Sequence, residues 1–153
     1  MAIKMTTPMS EINALIEAET KRVDALTIKA LSNLGDDCVT EARDRPQAYS
    51  WFDQTGNLRS SIGYVVVAHG NIIKRSGFET VMNGSEGSME GKKLAEELAK
   101  KYSSGYALIV VAGMNYAEYV EAKDNKSVLA SAEISAHAEI NNMMEKLKSQ
   151  VAK

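Results

Sequence analysis

From Ser10 to about Arg43, apolar residues recur at three- and four-residue spacing: Ile12, Leu15, Ile16, Val23, Leu26, Ala30, Leu34 and Cys38. Glu19, Lys21, Arg22, Asp24 and Lys29 mostly fall elsewhere on the wheel. That is the period of an amphipathic helix. Ser10 is its expected N-cap, with Glu11 and Glu17 near the positive end of the helix dipole, and Pro46 stops it. About 34 residues at about 1.5 Å each make a rod of about 50 Å. A compact chain of this size has a radius of gyration of about 15 Å, hence a diameter of roughly 40 Å. The helix must therefore overhang its own domain, bend, or lean on another copy. Gly35-Asp36-Asp37 is the natural place for a bend; one continuous or mildly kinked helix is the favoured reading. Residues 1–9 have no periodicity and are expected as an N-terminal arm before a single domain over 10–153.

The next informative stretch is DQTGNLRSSIG, Asp53 to Gly63, followed by the apolar run YVVVA. Asp53, Thr55 and Asn57 are short polar side chains that bond to nearby backbone around a Gly56 free to take positive φ. Leu58 is expected to drop inward while Arg59, Ser60 and Ser61 line a rim. In the strand that follows, Ile62, Tyr64, Val66 and Ala68 point one way and Gly63, Val65 and Val67 the other. His69-Gly70-Asn71 turns the chain, and Ile72–Arg75 returns as the second arm of a hairpin.

Ser76 to Gly91, with glycines at 77, 84, 87 and 91, reads as a mobile loop. A helix over about Gly91–Tyr102 follows, then a strand from Tyr106 to Ala112 that is apolar on both faces and needs cover on both. The first helix is expected over one face. The last helix, from about Ser131 with Ile134, Ile140, Met143, Met144, Leu147 and Val151, is expected to cover part of the other. A neighbouring subunit could supply the remainder. The fold class is thus α+β: a small, mostly antiparallel sheet packed with a long N-terminal, a short middle and a C-terminal helix.

The chemistry is sparse. Net charge is −2, from 18 basic and 20 acidic residues that are interspersed, so nothing suggests a surface built to grip nucleic acid. The apolar runs are far too short to cross a bilayer. Cys38, the one cysteine, excludes an intrachain disulfide and fits a reducing compartment and a packing role. His69, His137 and Cys38 lack metal-ligand spacing, no nucleophile elbow occurs, and the glycines form no phosphate loop. No catalytic, cofactor or metal residue is assigned. Glu118, Glu121 and Asp124 form the one acidic cluster, read as a charge patch rather than an acid–base pair. Arg59 either locks the corner by pairing with a carboxylate or reaches a neighbour. Tyr116 is assigned to packing at the strand's end, Tyr119 to an exposed contact, and Trp51 and Phe52 to the core.

Two segments, TGNLRSSIG and NYAEYVEAK (the latter within Ala112–Lys123), resemble signatures of the tailed-phage tail-completion or head–tail joining proteins, minor components of the virion neck. The similarity spans roughly Ser10 to Val151; the first nine residues and Ser76–Gly91 lie outside it. The resemblance implies a structural, non-enzymatic protein without cofactors. It would form a ring with itself, hexameric to match a tail tube, and contact tail-tube and head-completion or connector proteins. DNA would pass through the channel without specific binding, and no membrane would be involved. Assembly in the host cytoplasm and residence in the virion neck follow. Thr55, Gly56, Asn57 and Arg59, with Tyr116, Glu118, Tyr119 and Glu121, are the expected interface residues. The readings from other classes are a different neck or head-closure protein, a small bacterial interaction or DNA-contacting module, and a hydrolase or transferase using Glu118 and Glu121.

Overall fold

The computed structural model describes all 153 residues except Met5, 46–49 and 124–125. Eight elements follow in order: α1 (Met9–Arg43), α2 (Asn57–Ser60), β1 (Ile62–Ala68), β2 (Asn71–Gly77), α3 (Ser85–Ala99), β3 (Tyr106–Ala112), α4 (Ala117–Ala122) and α5 (Ala130–Val151). The strands form one antiparallel sheet in the order β2-β1-β3. The class is α+β, with the long, middle and C-terminal helices in the expected places.

β1 is central and every one of its seven residues is buried. Its alternating side chains feed two cores. Ile62 joins Cys38, Ala42, Trp51, Leu58, Ala117, Val128 and Ala132 on the α1 side. Val65 and Val67 join Phe78, Ala95, Ala99, Ile109 and Val111 on the other. The helix on that second face is α3. The C-terminal helix instead runs antiparallel beside α1: Arg22 donates to the carbonyls of Gln150 and Val151, and Cys38 lies against the carbonyl of Ala132. This corrects the expectation that the last helix covers the far face. Its inner face packs on α1, and α3 supplies the missing layer.

α1 is a single helix through Gly35, and that glycine serves packing instead of bending. A Cβ there would stand 2.7 Å from the Tyr64 ring, whose hydroxyl donates to Asp36 at 2.8 Å. The helix starts at Met9, with Pro8 in extended conformation as its N-cap and no side-chain cap, so Ser10 lies inside the first turn. At its other end the helix stops at Arg43, before Pro46, which lies outside the described residues. Buried Arg43 pairs with Glu79 and anchors the segment after β2.

Of the expected loop Ser76–Gly91, only 78–84 lies outside helix and strand. β2 continues to Gly77, and α3 already begins at Ser85. Gly84, Gly87 and Gly91 stand three and four apart, so they share one helical face. That face lies on the backbone of the Asp53–Gly63 segment and on Phe78. A Cβ at Gly87 would fall 1.9 Å from the Asn57 carbonyl, and one at Gly91 2.3 Å from that of Ser61. The helix is built around close approach, which only glycine permits.

Asp24 in α1 accepts hydrogen bonds from Tyr106 at the start of β3 and from His69 at the hairpin tip. The Tyr106 hydroxyl first, and His69 second, hold its carboxyl below the usual range. A depressed carboxyl stabilises the folded state above its unfolded pKa and loses that contribution as pH falls through the folded value. The tie therefore holds at neutral pH and releases only in acid. Asp24→Asn is expected to flatten the acid limb of a Tm-against-pH curve below about pH 4 while leaving its shape near pH 7 unchanged.

Gly87→Ala separates a packed helix from a loop. In an open helix position the change stabilises by about 1 kcal/mol. Here overpacking against Asn57 is expected to cost about 2–3 kcal/mol, lowering Tm by about 5–10 °C. An unchanged or raised Tm in thermal denaturation would contradict the packing described.

Candidate interaction surface

The Asp53–Gly63 segment is a polar knot whose side chains mostly turn inward. Asp53 accepts from the N–H groups of Gly56 at 2.9 Å and Arg59 at 2.8 Å. Those two bonds close the one-turn helix α2, so the strand begins at Ile62 and not at Ser60. Gly56 takes φ 81°, and a Cβ there would meet the Val81 carbonyl at 2.1 Å. Asn57 reaches α3 twice, accepting from Gly87 N at 3.2 Å and donating to Glu86 at 3.3 Å. Ser60 accepts from Val81 N at 2.9 Å, and Ser61 donates to the Leu58 carbonyl at 2.7 Å. Leu58 is buried as expected, but so are Ser60 and Ser61. The predicted rim is therefore reduced to Arg59, because both hydroxyls are needed to satisfy backbone groups inside.

Arg59 pairs with no carboxylate among the described residues. Its guanidinium instead lies 5.8 Å from the centre of the Trp51 ring, a cation–π contact. The neighbouring Arg45 is paired with Glu41 at 2.7 Å.

The second segment arrives beside this knot. Tyr116 is the N-cap of α4, and a shallow pocket joins it and Val120 to Trp51, Phe52, Asp53, Thr55 and Leu58. Burial, and after it the Asp53 carboxylate, push the Tyr116 phenol up, opposed by the Thr55 side chain. Tyr116 is thus half in this seam, 37% exposed, whereas Tyr119 is 68% exposed with Lys123 near its ring. Thr55 and Glu118 also face solvent.

Glu118 and Glu121 part company. Glu121 turns back and accepts from the N–H groups of Val128, Leu129 and Ala130 at 3.1, 3.2 and 2.8 Å. It caps α5, satisfying donors that a helix start leaves open. Glu118 remains in solvent, and Asp124, the third member of the acidic cluster, lies outside the described residues. Among the described residues, no group of three or more His, Cys, Asp or Glu is placed to hold a metal, and no helix is long and apolar enough to cross a membrane.

Two surface residues escaped the sequence reading. Phe52 is expected in the core with Trp51, yet Trp51 is 3% and Phe52 68% exposed. Neighbouring side chains in non-helical chain point apart, which was the available signal. Met82, 71% exposed at φ 52°, carried none. It shares a second shallow pocket with Phe52, Arg45, Trp51 and Arg59. The surface thus consists of two exposed apolar side chains, an aromatic turn and a guanidinium that rests on Trp51 with no carboxylate partner among the described residues.

No known family model, curated protein or solved structure matches this chain.

Glu121→Gln is expected to lower stability by about 1–2 kcal/mol through the weakened α5 cap, read from urea unfolding. Glu118→Gln is expected to change it by less than about 0.5 kcal/mol.

Proposed function

We propose that this chain is a structural protein of a tailed-phage virion, a tail-completion or head–tail joining component that forms a ring at the neck and connects tail to head. The observation that carries the reading is the meeting of its two motif segments. TGNLRSSIG and NYAEYVEAK are far apart in sequence, yet Tyr116 and Val120 share one pocket with Thr55 and Leu58. Inward-facing polar groups rigidify that seam, and Phe52, Met82 and Tyr119 stay exposed around it. Exposed aromatic and Met side chains near an arginine are the composition of protein–protein contacts. The site favours binding over a reaction, since Glu121 is committed to a helix cap.

In this reading the ring is hexameric, and its faces meet tail-tube and head-completion proteins. The balanced charge lets DNA thread the channel without being held. The protein is assembled in the host cytoplasm and ends in the virion.

Arg59→Ala and Tyr119→Ala remove side chains that lie outside the buried core and have no ion pair among the described residues. Each variant is expected to stay folded, with Tm within about 3 °C of the parent, and to reduce joining of tails to heads at least tenfold. Particle titre and electron microscopy of complemented lysates measure this. Infectious tailed particles at the normal titre from both variants would remove the assignment.

A further inference from the structure

Among the described residues, two apolar surfaces lack a partner inside the chain. The first is the free end of α1. Beyond Arg22, where α5 ends alongside, Met9–Lys21 projects with Met9, Leu15 and Ile16 at 58, 70 and 60% exposed. These residues continue the stripe that, further along, packs on α5 and the sheet. The second is a groove of about 490 Å³ between α1, α5 and β3, whose apolar lining includes Leu31, Leu108, Val110, Leu129, Ala136 and Ile140. β3 is an outer strand, and among the described residues no strand lies beyond it. The other outer strand, β2, is guarded by a bulge between its pairings to Val66 and Val67 and by Lys74 and Arg75. β3 reads YALIVVA, with neither bulge nor charge. Unguarded edges of this kind are normally covered, often by a helix.

We infer that the projecting end of α1 from one copy lies in the α1–α5–β3 groove of the next. The inference rests on the ring reading and gives that ring its contact. Lengths agree: about 13 projecting residues make about 20 Å of helix, and the groove follows α5 from Leu129 to Ile140 for about 17 Å. The contact is heterologous, one surface meeting a different one, so each copy offers a free groove and a free helix, and the contacts close as a ring where the rotation between copies permits. The area fixes the strength. Half the surface of a helix about 10 Å wide and 20 Å long is about 300 Å², well under the about 800 Å² per partner of a stable pair. Two copies therefore associate weakly, and closure, which gives every copy two contacts, is what holds them.

The test uses Leu15→Cys and Ile140→Cys in a Cys38→Ala background, singly and together, under mild oxidation. Mixed single variants are expected to give one crosslinked dimer, and the double variant a ladder of oligomers. Both should form at least tenfold faster than with Ile134→Cys, which is 71% exposed and does not line the groove. In the native background, Leu15→Gln/Ile16→Gln alters only exposed residues and is expected to weaken concentration-dependent association in sedimentation at least tenfold. Crosslinking no faster than with Ile134→Cys would overturn the inference, as would Ile140→Cys pairing with itself or unaltered association of the Gln variant. The neck reading would survive those results if the native chain still entered virions. Absence from virions with crosslinking intact would defeat the neck reading and leave the contact standing.

Discussion

Seven consecutive buried residues in β1 oblige this chain to build a layer on each side of its sheet. The strand makes that possible by setting one absent side chain, at Gly63, beside the large Tyr64. Tyr64 needs a helix that comes close, and Gly35 in α1 lets it come. Gly63 leaves a gap on the opposite face, which the Phe78 ring fills from beneath α3. Phe78 adopts φ 61° to do so, a conformation rare for a bulky residue. It is held there by its N–H bond to Ile62 and by the Ser88 hydroxyl on its carbonyl. Everything peripheral, including the corner that presents the interaction surface, is referenced to this three-layer stack.

What the sequence made legible follows from how directly each pattern reports burial. The α1 stripe, the two-sided apolar strands and the His69-Gly70-Asn71 turn were readable because period and turn chemistry act locally. α3 was only half legible. Its first half, SEGSMEG, is rich in small residues and poor in apolar ones, which on composition alone means a loop. The burying face there consists of Gly84, Gly87 and Gly91, and their three- and four-residue spacing was the helical signal. Counting only large apolar residues hid it. The same shortfall misplaced α5: without a helix assigned to 85–90, the last helix was the remaining candidate for the far face.

Polar residues at the corner were read correctly as backbone-bonding and incorrectly as partly outward. Ser60 and Ser61 carry no sequence mark that separates a rim hydroxyl from one buried under Val81 and Leu58. Only the three-dimensional demand for partners decides between them. Arg59 illustrates the complementary limit. A guanidinium beside a knot of acceptors suggests a carboxylate partner, but Asp53 spends both oxygens on backbone N–H groups, so Arg59 rests on Trp51. Glu121 is unavailable outside for the same reason, being drawn to the start of α5. The corner can present apolar and cationic groups to a partner because its anions and hydroxyls are consumed within.

The projecting end of α1 extends this reasoning to the chain's energetics. A free helix of about 13 residues is marginal in water, since nucleation is costly and propagation barely favourable. Here the buried half of α1 supplies the nucleus, so the free end needs only to propagate, and the i,i+4 pair of Lys21 with Glu17 and the i,i+3 pair of Arg22 with Glu19 lie across the point where burial stops. Such exposed pairs are weak, enough to favour the helix but not to offset the exposure of Leu15 and Ile16. Burying those two side chains would recover about 1.5–3 kcal/mol apiece at most. The helix is thus prepared at little cost within the monomer, while most of the gain from its apolar stripe is deferred until another surface covers it.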